Sequence, residues 1–104
     1  MPRKPLQYLS EPMFYILLSL TNEKSGNEIA EYVNKLTNGR LELPPGTLYA
    51  LLSRFVDEGL IKLSSYSGNR KNYKITKLGL IELATERDRI ELMLEDFNNV
   101  RGEI

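Results

Sequence analysis

Three short helices, a β-hairpin and one long final helix, an α+β fold in a single domain, are what this sequence predicts, and three observations predict it. Leu48, Leu51, Leu52 and Phe55 recur at i, i+3, i+4 and i+7, one face of a helix, between a Pro44-Pro45-Gly46 start and a Gly59 stop. Directly afterwards the period becomes two, in Leu60-Ile61-Lys62-Leu63-Ser64 and again in Asn72-Tyr73-Lys74-Ile75-Thr76. From Lys77 onward, Leu80, Leu83, Ile90, Leu94 and Phe97 follow a spacing of about 3.5, interrupted by Arg87.

The elements follow in order. Residues 1–9 read as an arm in which Leu6, Tyr8 and Leu9 are able to dock. Ser10-Glu11-Pro12 opens a helix: a serine cap, an acid in the first turn and a proline where proline is tolerated. That helix runs to about Thr21 and is apolar on nearly every side, so it must be covered from more than one direction. Ser25 and Glu28 stand at capping-box spacing and open a second helix with a buried stripe of Ile29, Ala30, Val33 and Leu36. Asn38-Gly39 ends it, and Leu41 to Leu43 is extended.

Pro44 and Pro45 block a helix arriving from upstream, because a residue before proline is pushed out of the α region. Pro45 suits a first turn, where its missing N–H costs nothing. Gly59 closes this third helix in the left-handed conformation. Ser67-Gly68-Asn69-Arg70-Lys71 is a polar, basic loop between two strands. Thr76 caps a last helix from about Lys77 to Arg101, roughly 37 Å at 1.5 Å per residue. Its apolar seam, flanked by Ile81, Ala84, Met93 and Val100, calls for another helix, and pairing of two chains supplies one. Arg87 and Glu91 face each other at i, i+4 on the charged remainder.

Composition narrows the chemistry. At 104 residues the chain is one domain with a modest core. It has no cysteine and no histidine, which removes disulfides, Cys/His zinc sites, Ser-His-Asp triads and Cys-His dyads. No cofactor and no metal is expected, and an enzyme is a distant third choice: Glu86, Asp88, Glu91 and Glu95 read as solvated acids on a charged helix face. Arg3 and Lys4 precede an apolar run from Met13 to Leu18 that loosely imitates a signal peptide, but the run is too short for a membrane span. A buried helix and a cytoplasmic protein are the expectation.

Net charge is zero, but it is unevenly spread. From Arg40 to Lys77 the balance is +4, and from Leu78 to Ile104 it is −4. The middle of the chain can meet phosphates; the acidic tail cannot.

Helix, helix, helix, strand, wing, strand is the order of a winged helix-turn-helix, here with a long C-terminal dimerisation helix. The residues PGTLYALLSRFVDEGLI, the upstream GNEIAEYV and the downstream GNRKNYKITKLG also resemble the PadR family of bacterial transcriptional regulators, in order and spacing from about Leu9 to Gly79. The strongest pieces are Gly46-Thr47-Leu48-Tyr49, Glu58-Gly59-Leu60-Ile61, and Gly68-x-Arg70-Lys71-x-Tyr73-x-Ile75-Thr76-x-x-Gly79. Asn27 departs from the family pattern, in which an aromatic follows the glycine of the second helix. The short C-terminal region resembles the family's compact members, which have a single dimerisation helix.

This gives an expected organisation of an arm at 1–9, a DNA-binding domain at 10–76 and a dimerisation helix at 77–104. In such folds the N-terminal part of the third helix reaches base edges. Thr47, Ala50 and Ser53 are the base-contact candidates, and Tyr49 and Arg54 the phosphate candidates, Tyr49 having packing between helices as its alternative. Asn69, Arg70 and Lys71 form a donor-rich wing tip suited to the minor groove or its phosphates. Tyr73 is read as core with its hydroxyl at the rim. Phe14, Tyr15 and Leu18 exceed what one small domain covers and are assigned, with Leu83, Ile90, Met93, Leu94 and Phe97, to the homodimer interface. Some compact relatives bind flat, aromatic, often cationic compounds between the last helices through tryptophan. This chain has no tryptophan, so a dry aliphatic interface is favoured, with a small-molecule effector there as the alternative. The expected function is a homodimeric repressor on a palindromic double-stranded operator. A winged-helix protein-interaction module is the second reading, favoured by the neutral net charge.

Overall fold

Ser10, Ser25 and Thr76 each begin a helix at the predicted place. In a computed structural model, which describes residues 8–104, α1 spans Glu11–Ser19, α2 Gly26–Leu36, α3 Pro45–Asp57 and α4 Lys77–Val100, followed by a single 3₁₀ turn at Arg101–Glu103. The Ser25 hydroxyl accepts from the Glu28 N–H at 3.4 Å, and the Glu28 carboxylate accepts from the Ser25 N–H at 2.8 Å, a complete capping box. Helix α3 has no side-chain cap; Pro45 sits at its first turn as expected. Leu6 of the expected arm lies outside the described residues.

Strands β1 (Lys24–Ser25), β2 (Ile61–Ser67) and β3 (Arg70–Ile75) form an antiparallel sheet in the order β1-β3-β2. Leu63 pairs with Tyr73, and a bulge follows at Ser64 before Ser65 pairs with Asn72. Strand β1 leaves no signal in the sequence. Two polar residues carry no alternation, and Ser25 reads from sequence only as a cap.

The core lies where α1, α2, α3 and the base of the sheet meet. Phe55, Ile16, Leu17, Leu20, Ile29, Leu52, Leu60, Ile61 and Val33 are all but inaccessible. Burying Leu48, Leu52 and Phe55 anchors α3 by about 1.5–3 kcal/mol each. The exposed Arg54–Glu58 pair on the same helix, 3.0 Å apart, adds under about 1 kcal/mol. Packing fixes this helix.

Three expectations need correction. Helix α1 stops at Ser19 rather than Thr21, because the Ser19 carbonyl is taken by the Lys24 ammonium at 2.6 Å and the Leu20 carbonyl by the Ile75 N–H at 2.8 Å. Leu36 is 48% exposed, not part of the buried stripe. Thr37 takes the inward position, its hydroxyl donating to the Val33 carbonyl at 2.8 Å, and Asn38 and Gly39 turn left-handed at φ 53° and 79°.

Glu86 is the third correction. It is only 4% exposed, not a solvated acid. Its carboxylate accepts from the Leu9 N–H at 3.2 Å and from the Arg89 Nε at 3.0 Å, while the Arg89 guanidinium lies 4.3 Å from the centre of the Tyr8 ring. The residues preceding α1 are thereby strapped to α4. The Arg89 hydrogen bond, with the Leu9 N–H and the Arg89 charge adding to it against burial, holds the Glu86 carboxyl below the usual glutamate range.

One junction joins the two ends of the wing to α3 and α4. Gly59 leaves α3 at φ 76°, a conformation that glycine adopts without penalty. The Thr76 hydroxyl donates to the Gly59 carbonyl at 2.6 Å and accepts from the Gly79 N–H at 3.1 Å; the Thr76 N–H donates to the Leu60 carbonyl at 3.0 Å. A Cβ on Gly79 would stand 2.1 Å from the Leu60 carbonyl oxygen. This close approach explains the glycine three residues after Thr76.

Gly79→Ala is expected to lower stability by about 1–3 kcal/mol in urea unfolding. Gly102→Ala, where a Cβ meets open space, should stay within about 0.5 kcal/mol. For Glu86 the sign follows from its lowered pKa: the ionised carboxylate favours the folded state, fully so above the unfolded value of about 4.3, and this is lost as pH falls through the folded value. The stability difference between the wild type and Glu86→Gln should therefore be largest at neutral pH and shrink in acid. A difference independent of pH would show that the ionised form has no special part in the strap.

Candidate nucleic-acid interface

Helix α3 turns Leu48, Leu52 and Phe55 inward, and this leaves Gly46, Thr47, Tyr49, Ala50, Ser53 and Arg54 on its solvent side. All five α3 residues singled out in the sequence are thus exposed on one helix. Their chemistry is uneven. Thr47 and Ser53 present hydroxyls and Ala50 a methyl group, whereas the Arg54 guanidinium is held along the helix by Glu58. Tyr49 is 49% exposed and leans on the start of α2: a Cβ built on Gly26 would stand 2.5 Å from its hydroxyl oxygen. The packing alternative for Tyr49 has this contact behind it, the hydroxyl end of the ring lying against Gly26 at the start of α2.

The wing turn is tighter than the sequence implied. Ser67 pairs with Arg70, so that Gly68, at φ 63°, and Asn69 make the whole turn. Arg70 and Lys71 belong to β3 rather than to a loop tip. Lys71 is exposed and stands in the cleft between α3 and the wing, with Tyr49, Ser53, Val56, Leu63 and Tyr73. This cleft encloses about 330 Å³. A neighbouring hollow of about 370 Å³ runs from Tyr49 past Gly26 and Asn27 to Asn69 and Arg70. Tyr73 is buried as expected, and burial raises its hydroxyl pKa, with the nearby Tyr49 and Tyr66 hydroxyls adding to the rise. The arrangement brings exposed hydroxyls, a half-buried phenol, two cations and the N-terminus of α2 to one side of the molecule, a surface suited to a polyanion.

The supports of this surface escaped the sequence reading. Glu23 accepts hydrogen bonds from Ser64 (2.6 Å) and Ser65 at the β2 bulge. These two hydroxyls hold its carboxyl below the usual range, with a smaller part from the Lys74 charge. Buried Asn72 donates to the Ser65 and Ser67 hydroxyls at 3.2 and 3.0 Å. No local pattern announces the Glu23 links, whose partners lie 41 and 42 positions away, and the Asn72 links, seven and five positions long, depend on the register of the hairpin.

The profile described as the Transcriptional regulator PadR-like family matches residues 16–85. The chain belongs to this family of transcriptional regulators. A transcriptional regulator from Clostridium thermocellum is 25% identical, with 83% of this chain and 87% of that one covered and a TM-score of 0.70. A PadR-like transcriptional regulator from Bacillus cereus is 30% identical over 84% of this chain and 87% of its own, at a TM-score of 0.66. A PadR-like transcription factor from Bacteroides fragilis is 26% identical over 84% and 85%, at a TM-score of 0.68. None of the curated proteins matches the chain.

In this PadR-like chain the residues assigned to a dimer interface divide into three groups. Leu83 is 9% exposed and belongs to the chain's own core, so it has little surface left for a partner. Phe14, Tyr15 and Leu18 are partly buried at the edge of that core, with the Phe14 and Tyr15 rings edge to face at 5.6 Å. Ile90, Met93, Leu94 and Phe97 are 41–58% exposed, on a stretch of α4 where every residue from Ile90 onward is exposed. A cavity of about 390 Å³ lies between α1 and α4, lined by Phe14, Tyr15 and Ile90 among others. Arg87 pairs with its neighbour Asp88 at 2.8 Å rather than with Glu91. Among the described residues no group of acids is placed to hold a metal, and no helix is long and apolar enough to cross a membrane.

The close approach of Tyr49 to α2 predicts a sign reversal. Gly26→Ala should destabilise the wild type, since the new methyl displaces the ring. In a Tyr49→Ala background the same change should stabilise by about 0.4–1 kcal/mol, as glycine-to-alanine changes do where space allows. Additive effects in the double-mutant cycle would remove Tyr49 as the reason for the glycine.

Proposed function

We propose that this chain is a cytoplasmic, homodimeric repressor that binds a palindromic operator through α3 and the wing. The observation that carries the reading is the exposed, small and hydroxyl-bearing face of α3 standing beside the basic wing across one cleft. Thr47, Ala50 and Ser53 face base edges, Tyr49 and Arg54 approach phosphates, and Asn69 and Lys71 bring the wing to the minor groove or its flanking phosphates. The second support is the exposed apolar stretch of α4 containing Ile90, Met93, Leu94 and Phe97, which a second copy would cover, together with Phe14, Tyr15 and Leu18. Dimerisation is assigned to the C-terminal half of α4, because Gly79, Leu83 and Glu86 are buried against the rest of the chain. A small-molecule effector remains the alternative to a dry interface, and the cavity between α1 and α4, where Phe14, Tyr15 and Ile90 stand beside Glu11, Glu86 and Arg89, is its place.

Selection from random DNA should enrich a palindrome with half-sites about 34 Å, one helical turn, apart. Solution mass should be that of a dimer, and Leu94→Glu should reduce it to a monomer with weakened DNA binding. Lys71→Ala should leave the dimer intact and flatten the salt dependence of operator binding by about 1.8 in the log–log slope, the share of two phosphate contacts, one from each protomer. A monomeric wild type, or no enriched sequence, would count against the proposal. Indifference of binding to Lys71 would favour a protein-interaction module.

A further inference from the structure

The wing is a two-stranded ribbon for most of its length. A ribbon of this kind is marginal on its own and does not fix its own direction. Strand β1 supports it at two register positions, Lys24 with Tyr73 and Ser25 with Asn72, and there the third strand ends. Arg70 carries the tie nearest the turn: its guanidinium donates to the Ser25 hydroxyl at 2.7 Å. Ser25 is 3% exposed and fixed twice over, as the partner of Asn72 and as the cap of α2. Glu23 holds the other strand through Ser64 and Ser65. The short segment from Glu23 to Ser25 therefore grips β2 and β3 together.

We infer that Arg70 is a positioning residue, which sets the angle of the wing to α3 through Ser25 and leaves the phosphate contact of the wing to Lys71. The inference rests on the DNA-binding reading, but the tie itself exists without DNA. A guanidinium hydrogen bond to a buried, immobile hydroxyl is stronger than a neutral one and directional. Releasing it to reach a phosphate would leave the wing beyond Asn72 held only by bonds within the hairpin, its own ladder and the Asn72–Ser67 hydrogen bond. Lys71, one residue on, is exposed in the cleft beside Tyr49.

The test has an arm without DNA and an arm with it. The chain has no cysteine, so Glu31→Cys and Asn69→Cys place two spin labels cleanly, one on α2 and one on the wing turn. Labelled chains are diluted into unlabelled protein so that each dimer carries one pair. A narrow distance distribution is expected for the otherwise wild-type chain and a broad one for Arg70→Ala. Ser25→Gly, which removes the acceptor but keeps a tolerated helix cap, should broaden it equally, and Ser25→Thr should restore it. On DNA selected by the wild type, Arg70→Ala and Ser25→Gly should each weaken binding by about five- to tenfold, with little further loss in the double variant. The salt slope should be unchanged by both and lowered by Lys71→Ala. An unchanged label distance in Arg70→Ala overturns the inference, as does a salt slope lowered by that substitution. Broadening in the free protein together with no DNA selected by the wild type would leave the tie standing and remove the DNA-binding reading instead.

Discussion

The contact between the first turn of α4 and the carbonyl of Leu60 is the constraint on which the rest of this structure depends. Four segments converge there: the exit of α3 at Gly59, the start of β2, the end of β3 and the start of α4. Thr76 is bonded to three of them through its hydroxyl and N–H. Gly79 lets the helix backbone come within a distance that a side chain would forbid. Because both ends of the hairpin are tied at one place, the base of the wing is fixed beside the exit of α3. The same junction fixes α4, whose Leu83 then reaches the core and whose Glu86 meets the residues before α1. A shift at Gly79 would move the wing and the long helix together.

The opposite side of the sheet is held differently. At the junction the ties are backbone groups and a threonine, close in sequence to the elements that they join. At the far side they are side chains of the segment between α1 and α2, reaching more than forty positions along the chain to Ser64, Ser65 and Arg70. The two sets act on different parts of the wing, its base and its middle. A ribbon held at its base alone twists freely; one held also at its middle presents its turn at a fixed height above α3.

This division explains what was legible in the sequence. The caps at Ser10, Ser25 and Thr76, the proline start of α3 and the stop at Gly59 act over three or four residues, and each was read at its place. The exposed face of α3 followed from periodicity alone. What escaped was non-local. Glu86 looks like any acid on a charged helix until Leu9, 77 positions away, donates to it. Strand β1 exists only because β3 passes beside it, and Arg70 looks like a loop cation until Ser25 is seen as its acceptor. Leu36 departs from its stripe for a local reason: the hydrophobic stripe predicts burial up to the last helical turn, but Thr37 satisfies its own hydroxyl there and takes the inner position. The family resemblance made the wing motif recognisable, while Gly79 received its physical reason only from the packing.

Charge and packing together also define what kind of reader the proposed interface would be. The zero net charge divides into a basic middle and an acidic end, and the acidic end is α4. A long acidic helix beside DNA would be repelled, so attraction to phosphates and repulsion from them would orient the molecule with α3 and the wing inward. Once there, α3 has few groups that discriminate bases strongly. Thr47 and Ser53 would be tolerant donors and acceptors, Ala50 would recognise shape alone, and Arg54 would have to give up Glu58 before it could point elsewhere. A surface of this kind gains selectivity from geometry: the fixed height of the wing, the separation of two copies, and the ease with which a given sequence deforms to meet both. On that proposal the ties at Gly79 and Ser25 would bear on sequence choice although neither residue need touch a base. Loosening either would blur the site that is chosen before it abolished binding.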